Sequence, residues 1–171
     1  MTADTGELTH LRLERPSDGV VLLTLDNPDQ RNAMSDEMTA SWVRAVDQLA
    51  GDRSVRAVVV TGEGSAFTSG GQLDWLASEP DASVDALRDR MLPFYRAWLS
   101  IRRLEVPTIA AVNGPAIGAG LCLALACDMR CSRSKAPRWA SPSPSSACTR
   151  AWPAPSSCPR WSATPPPATS S

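Results

Sequence analysis

The chain has 171 residues and a formal net charge of −1, enough for one domain with a single core and no basis for attraction to nucleic acid or to an anionic membrane surface. One histidine, His10, excludes a histidine-based triad and a multi-histidine metal centre. Five cysteines (Cys122, Cys127, Cys131, Cys148 and Cys158) without a CxxC pair match neither a disulfide framework nor a zinc site.

The first residues, MTADTGELTHLRLERPSDG, lack a basic segment followed by an apolar run. No uninterrupted apolar stretch reaches the roughly 20 residues needed to span a bilayer. The expectation is a cytoplasmic protein without membrane contact. Leu11–Arg15 and Val20–Leu25 flank Pro16-Ser17-Asp18-Gly19 and read as a β-hairpin. Asn27-Pro28-Asp29 turns the chain out of the second strand. Ser35 is a helix N-cap; Met38, Trp42, Val43, Val46 and Leu49 follow at helical spacing, and Gly51 closes the helix. Arg56–Thr61, with its AVVV run, predicts a strand covered on both faces. Gly62–Gly71 is a glycine-punctuated loop. Val84–Leu104 predicts helix broken at Pro93. Thr108–Val112 is a second buried strand, Asn113-Gly114-Pro115 a turn, Gly118–Ala126 a helix of small residues and Asp128–Cys131 the start of another strand. Strand–helix–strand alternation of this kind gives an α/β fold with crossover helices.

Composition changes abruptly after Cys131. Residues 1–131 hold all 18 acidic residues against 12 Lys and Arg, a balance of −6. Residues 132–171 hold five Lys and Arg, no acid, nine prolines and eleven serines, and no Leu, Ile, Val, Phe or Met. Such a segment cannot bury enough apolar area to offset its conformational entropy, so an irregular or disordered tail is expected. The division is therefore 1–131 and 132–171.

Two segments carry the functional reading: GEGSAFTSGGQLDWL, Gly62–Leu76, and AAVNGPAIGAGLCLALACD, Ala110–Asp128. Each leaves a buried strand through small residues, which let another molecule approach the backbone and leave N–H groups unshielded. The second also opens a helix, where unsatisfied N–H groups favour negative charge. Two such groups aimed at one point would form an oxyanion hole. The alternative for each loop alone is that its glycines serve only tight turns and close packing.

In order and spacing, NPDQRNAMS, AFTSGGQL and VNGPAIGAGLCLALACDMR resemble the enoyl-CoA hydratase/isomerase (crotonase) family over about residues 10–131. The resemblance implies a spiral of ββα turns, incomplete here, that binds acyl-CoA. It implies that the backbone N–H groups of Gly71 and Ala119 hold the thioester oxygen while an enolate develops. Arg31 and Ala33 match the segment that meets the adenine and pantetheine of coenzyme A, although Arg31 also reads as a solvated charge before a helix. Ser69, Gly70, Gln72, Leu73, Pro115, Gly118 and Cys122 fall around the bound thioester. Coenzyme A enters only as part of the substrate, and no metal or separate cofactor is implied. The family assembles as trimers or dimers of trimers, through C-terminal helices that this sequence does not contain; poor solubility and failure to assemble are the expectation.

Three positions depart from the family pattern. Ala119 stands where the family usually has Gly, a tolerable change because only its amide is needed. Gln72 stands where the family has Asp; it keeps hydrogen-bonding capacity and loses the charge. Cys122 stands where hydratases carry the first catalytic Glu. Hydration needs a positioned acid/base, whereas a cysteine on a small-residue helix is ordinarily an apolar filler. Three readings stay open: acyl-CoA enolate chemistry, a non-catalytic acyl-CoA-binding or subunit-interaction homologue, and a non-functional fragment.

The tail also reads as a shifted frame. Trp139–Trp152, WASPSPSSACTRAW, can be encoded by bases that read LGVPFTKLGLHPGM one position earlier. Cys158–Ala163 likewise permits LPEVVG, and Ala168–Ser171 permits RDLL. The restored strings resemble the expected family continuation and place Phe, not Glu, at Ser143, the second hydratase position. The alternative is a genuine Pro/Ser-rich linker.

Overall fold

The computed structural model describes residues 8–72 and 82–132, and the backbone of 148–150. Leu73, most of the Pro/Ser-rich tail, and with it Trp139, Ser143 and Cys158, lie outside the described residues.

Alternating and apolar runs form strands as expected. β1 (Leu11–Ser17) and β2 (Val20–Leu25) make the hairpin, with β1 continuing through Pro16 and Ser17 and the turn narrowing to Asp18-Gly19. The remaining strands are β3 (Ala57–Gly62), β4 (Thr108–Val112), β5 (Met129–Ser132) and β6 (Cys148–Arg150). They lie in one sheet in chain order, with β2 to β5 parallel and an antiparallel pair at each edge. Each parallel step needs a crossover. α1 (Asp36–Ala50) links β2 to β3, α2 (Val84–Trp98) lies between β3 and β4, and α3 (Ala119–Ala126) links β4 to β5. This is the α/β arrangement with crossover helices expected from the sequence.

One sheet face makes the core: Leu23, Leu25, Val58, Val60, Ala110 and Val112 are buried, while their neighbours Leu22, Val59 and Ile109 on the other face are half-buried. The AVVV strand is thus fully covered on one face only. Against the covered face pack Met38, Trp42, Val46 and Leu49 of α1, buried at the helical spacing read from sequence. The Ser35 hydroxyl accepts the Met38 N–H at 3.2 Å and caps that helix. Trp42 stacks on Trp98 of α2 with ring centroids 4.9 Å apart, and the Trp98 indole donates to the Thr39 hydroxyl at 3.0 Å. An aromatic pair of this kind contributes roughly 0.5–1.5 kcal/mol beyond its buried area, and it fixes α2 against α1.

Two expectations change. α2 runs through Pro93 and passes into a 3-10 turn, Leu99–Arg103, only after Trp98. Proline removes one helix hydrogen bond, but Asp89, whose carbonyl is released, and Pro93 itself are both exposed, so the released group is not sealed from solvent. The sequence reading has no strand at 148–150; β6 pairs there with β5. Ladder pairing uses main-chain groups and does not require the aliphatic side chains that the tail lacks.

Exposed ion pairs tie the outer edge together: Arg12 reaches Glu14, Asp26 and Glu63, and Arg15 reaches Asp52 at 2.6 Å. Asp52 also accepts from the N–H and hydroxyl of Ser54. These hydrogen bonds, with the Arg15 guanidinium, hold its carboxyl down to about 2 from an ordinary 3.8. A depressed carboxylate contributes stability above its unfolded value and loses it as pH falls through the folded one. Asp52→Asn should therefore lower the melting temperature relative to the unchanged chain most at pH values above about 4, with the two curves converging as pH approaches 2. Melts across that window check this; a constant gap would be inconsistent with it.

Candidate functional site

The segments singled out in sequence leave the carboxyl ends of β2, β3 and β4, three adjacent parallel strands. Open parallel sheets bind ligands outside these ends. The first glycine loop runs between the other two segments as a short ribbon. On one side Met34 N–H donates to the Gly70 carbonyl at 2.8 Å, and Ser69 N–H to the Arg31 carbonyl at 2.9 Å. On the other, Phe67 and Thr68 N–H donate to the Pro115 carbonyl, and Ile117 N–H donates to the Thr68 carbonyl at 3.1 Å. Met34 pairs with Gly71, and Thr68 with Ala116, as isolated parallel bridges.

Buried side chains lock this ribbon. Asn32 is fully buried; its amide nitrogen donates to the carbonyls of Glu63, Ala66 and Phe67, and its oxygen accepts the Asn27 N–H at 2.9 Å. The Thr68 hydroxyl donates to the Asn32 carbonyl at 2.6 Å and accepts the Gly70 N–H at 3.0 Å. From the third segment, the Asn113 amide donates to the Gly64 and Ala66 carbonyls and accepts the Gly62 N–H. Sequence reading took Asn32 only as part of the NPDQRNAMS segment and gave Thr68 and Asn113 no positioning role. Their partners lie some 30 to 50 positions away, where spacing carries no signal.

Each proposed site residue other than Leu73 has a definite place. Gly70 has φ +89, and a β-carbon there would stand 2.5 Å from the Ile117 carbonyl oxygen and 3.3 Å from the Ala119 nitrogen. Only glycine allows this approach, which brings the two loops together backbone to backbone. Gly118, φ +54, precedes α3 as its N-cap, and Gly120 in the first turn packs on the first loop, where a β-carbon would stand 2.4 Å from Thr68 Cγ2. Among the described residues no hydrogen bond engages the N–H of Gly71 or of Ala119. Ala119 is the first residue of α3, where the helix leaves N–H groups unsatisfied. Cys122 lies half-buried one turn further along.

Ser69 also anchors its hydroxyl on the Gln30 carbonyl at 3.3 Å. Gln72 donates its side-chain amide to the Gln30 side-chain oxygen at 3.0 Å, so it braces the loop to the first segment. Arg31 is exposed and left-handed, with φ 51, and Ala33 is buried. The Cys127-Asp128 pair is structural. Burial, with Asp128 beside it, pushes the Cys127 thiol up to about 12, leaving it protonated and unreactive. Asp128 accepts the Thr108 N–H and hydroxyl, each at 2.8 Å, and ties the start of β5 to β4. Across 62–72 and 113–126 the one carboxylate is Glu63, held by Arg12 at 2.9 Å. The arrangement offers main-chain donors to an anionic oxygen and no carboxylate acid/base from these segments.

Asn32→Ala should leave buried loop carbonyls without donors and cost about 2–4 kcal/mol, since each orphaned buried group costs roughly 1–3 kcal/mol. Denaturant unfolding measures the loss, and hydrogen exchange should rise at Phe67–Gly70. A change below about 0.5 kcal/mol, the size of an ordinary surface substitution, would contradict the clamp.

Residues 15–144 match the family model described as Enoyl-CoA hydratase/isomerase. A probable enoyl-CoA hydratase of Mycobacterium tuberculosis is 46% identical over 111 residues, covering 65% of this chain and 42% of that protein. A 4-chlorobenzoyl coenzyme A dehalogenase of an Arthrobacter species is 35% identical over 136 residues, 77% of this chain and 49% of that protein. Among solved structures, an enoyl-CoA isomerase of M. smegmatis aligns with a TM-score of 0.58 at 37% identity, over 72% of this chain and 49% of that one. An enoyl-CoA hydratase/isomerase of Xanthobacter autotrophicus Py2 aligns with a TM-score of 0.67 at 35% identity, over 74% and 46%. The chain spans less than half the length of each of these relatives. On the extent of the family match and on identity to these proteins, the chain belongs to the enoyl-CoA hydratase/isomerase family.

Proposed function

We propose that this chain carries the thioester-polarising part of an acyl-CoA site, with the Gly71 and Ala119 N–H groups as paired donors to the carbonyl oxygen. The observation that carries the reading is the close approach of the two loops at Gly70 and Ala119 with both neighbouring amides unengaged among the described residues. Charge builds on the carbonyl oxygen as an enolate forms, and fixed donors already aimed at it need no reorganisation. Each such donor contributes about 10²–10³ in rate where catalysis follows. Arg31 and Ala33, on the segment hydrogen-bonded to the first loop, are the contacts proposed for coenzyme A, with Ser69, Gly70, Gln72, Pro115 and Gly118 shaping the backbone around the thioester. Leu73 completes the set and lies outside the described residues.

Enolate chemistry also needs a proton carrier. Cys122 stands in the position suited to one on α3, and residues 113–126 hold no carboxylate to replace it. That observation favours a second reading, acyl-CoA binding and polarisation without hydration. Crotonyl-CoA hydration and isomerisation assays separate the two. For either, Gly71→Pro removes the donor and should abolish the red shift of the bound thioester carbonyl stretch. Gly71→Ala adds a β-carbon yet keeps the N–H, and should retain the shift. An unchanged carbonyl frequency in Gly71→Pro would sink the donor assignment. Gln72→Asp should be tolerated within about 0.5 kcal/mol, because the Gln30 amide can turn and donate to it.

We further propose that the segment beyond Cys131 is translated out of frame, which would also deprive the chain of the family's assembly helices. Its support is compositional: no Leu, Ile, Val, Phe or Met across 132–171, and an aliphatic-rich reading one base earlier. The family match runs on to residue 144, so codons 131–144 are the decisive stretch. The gene should read LGVPF or a close variant one base earlier at Trp139–Ser143 and stay open beyond it. Stop codons in that frame, or no such string, would make the Pro/Ser-rich tail genuine.

A further inference from the structure

α2 places an aromatic ring directly beside the first donor. A β-carbon on Gly71 would stand 3.2 Å from Cζ of Phe94, 3.6 Å from Cε1 and 3.9 Å from Cε2. The ring therefore meets the Gly71 backbone end-on. Tyr95 supports it edge-on with centroids 5.5 Å apart, and Trp98, buried in the core, lies tilted against it at 6.5 Å. Leu87, Met91 and Phe94 follow at helical spacing, so an apolar stripe continues along α2 away from Gly71. Met91 is 37% exposed, and Ile117, on the second loop, is 58% exposed. Apolar surface thus flanks the donor amides in a region where the loops are otherwise small and polar.

We infer that Phe94 is a specificity-determining residue of the thioester site proposed above, on which this inference rests: it admits acyl chains that are straight at the carbon next to the thioester and rejects chains branched there. An oxygen accepting from Gly71 lies about 2.9 Å from its nitrogen. The Phe94 ring stands against the α-carbon of the residue that supplies this donor, so an acyl carbon turned to that side of the carbonyl meets the ring. A methyl branch needs space that the Phe94 ring already fills at contact distance. A straight chain continues along the stripe of Met91 and Leu87. One methyl group in an apolar pocket discriminates by roughly 10–200-fold.

The test measures binding of coenzyme A, butyryl-CoA and isobutyryl-CoA to the purified full chain by calorimetry, with the carbonyl stretch of bound butyryl-CoA as a second readout. The unchanged chain should prefer butyryl-CoA by at least about tenfold, the lower end for a single methyl. Phe94→Ala should collapse that preference to less than about twofold, with coenzyme A affinity and the carbonyl shift retained. Phe94→Leu should fall between them and decides the matter if Phe94→Ala no longer binds coenzyme A. A preference unaltered in these variants, with the carbonyl shift intact, overturns the role of Phe94 alone. Absence of the shift in the unchanged chain overturns the donor pair and this inference with it.

Discussion

One buried carboxamide governs the functional end of this molecule. Asn32 has no access to solvent, and its side chain meets the backbone on both sides of it: the Asn27 N–H that follows β2, and the carbonyls of Glu63, Ala66 and Phe67 that follow β3. A loop carbonyl buried without a donor is costly, so the glycine loop can leave water only if something supplies N–H groups to it. Asn32 and, from the third segment, Asn113 do so. With the carbonyls satisfied, the ribbon from Phe67 to Gly71 lies flat between its neighbours, and Gly70 reaches the backbone at Ile117 and Ala119. The left-handed conformations of Arg31 and Asn32 are what aim the amide inward; asparagine is among the residues that tolerate this best.

Much of the fold was legible because it follows short periods. Met38, Trp42, Val46 and Leu49 recur on one helix face, and Ser35 precedes the helix it caps; the unbroken AVVV run marked its strand but not that only Val58 and Val60 turn into the core. The glycine loops were legible for another reason: close backbone approach demands small residues, and the demand falls on consecutive positions. Illegible were the interactions that join distant positions. Nothing local marks Asn32 as the partner of Phe67, or Phe94 as the neighbour of Gly71. Pro93 misled because its cost depends on exposure, which sequence alone does not state. β6 was unmarked because its pairing is main-chain, and composition describes side chains.

The family's chemistry divides between two kinds of atom. Polarising a thioester needs donors; moving a proton needs a titratable group. The donors proposed for this chain, the Gly71 and Ala119 N–H groups, belong to a backbone fixed by hydrogen bonds elsewhere in the loops. The titratable position on α3 is occupied by Cys122, and the adjoining loop exchanges an acidic brace for the neutral Gln72–Gln30 pair. Cys122 lies on a side chain that the loop framework does not use, whereas Gln72 is one of its braces. The neighbouring Cys127 shows the contrast: sealed in the core, its thiol stays protonated and serves packing alone.

α3 carries a consequence of a different kind. It is apolar on every side, with Leu123 and Ala124 buried and Leu125 45% exposed. A helix at the protein surface ordinarily shows water a polar stripe, and that stripe fixes its rotation about its own axis. α3 has no such stripe, so contrast between oil and water cannot set which residue faces the first loop. Its rotation is set by contact, with Gly120 pressed on Thr68 of the first loop, between two anchors: the left-handed turn at Gly118 at one end and Asp128 gripping Thr108 at the other. Any side chain at position 122 inherits its direction from those two anchors. The scaffold can therefore exchange the residue there, thiol for carboxylate or the reverse, without the helix turning to follow the polarity of the newcomer.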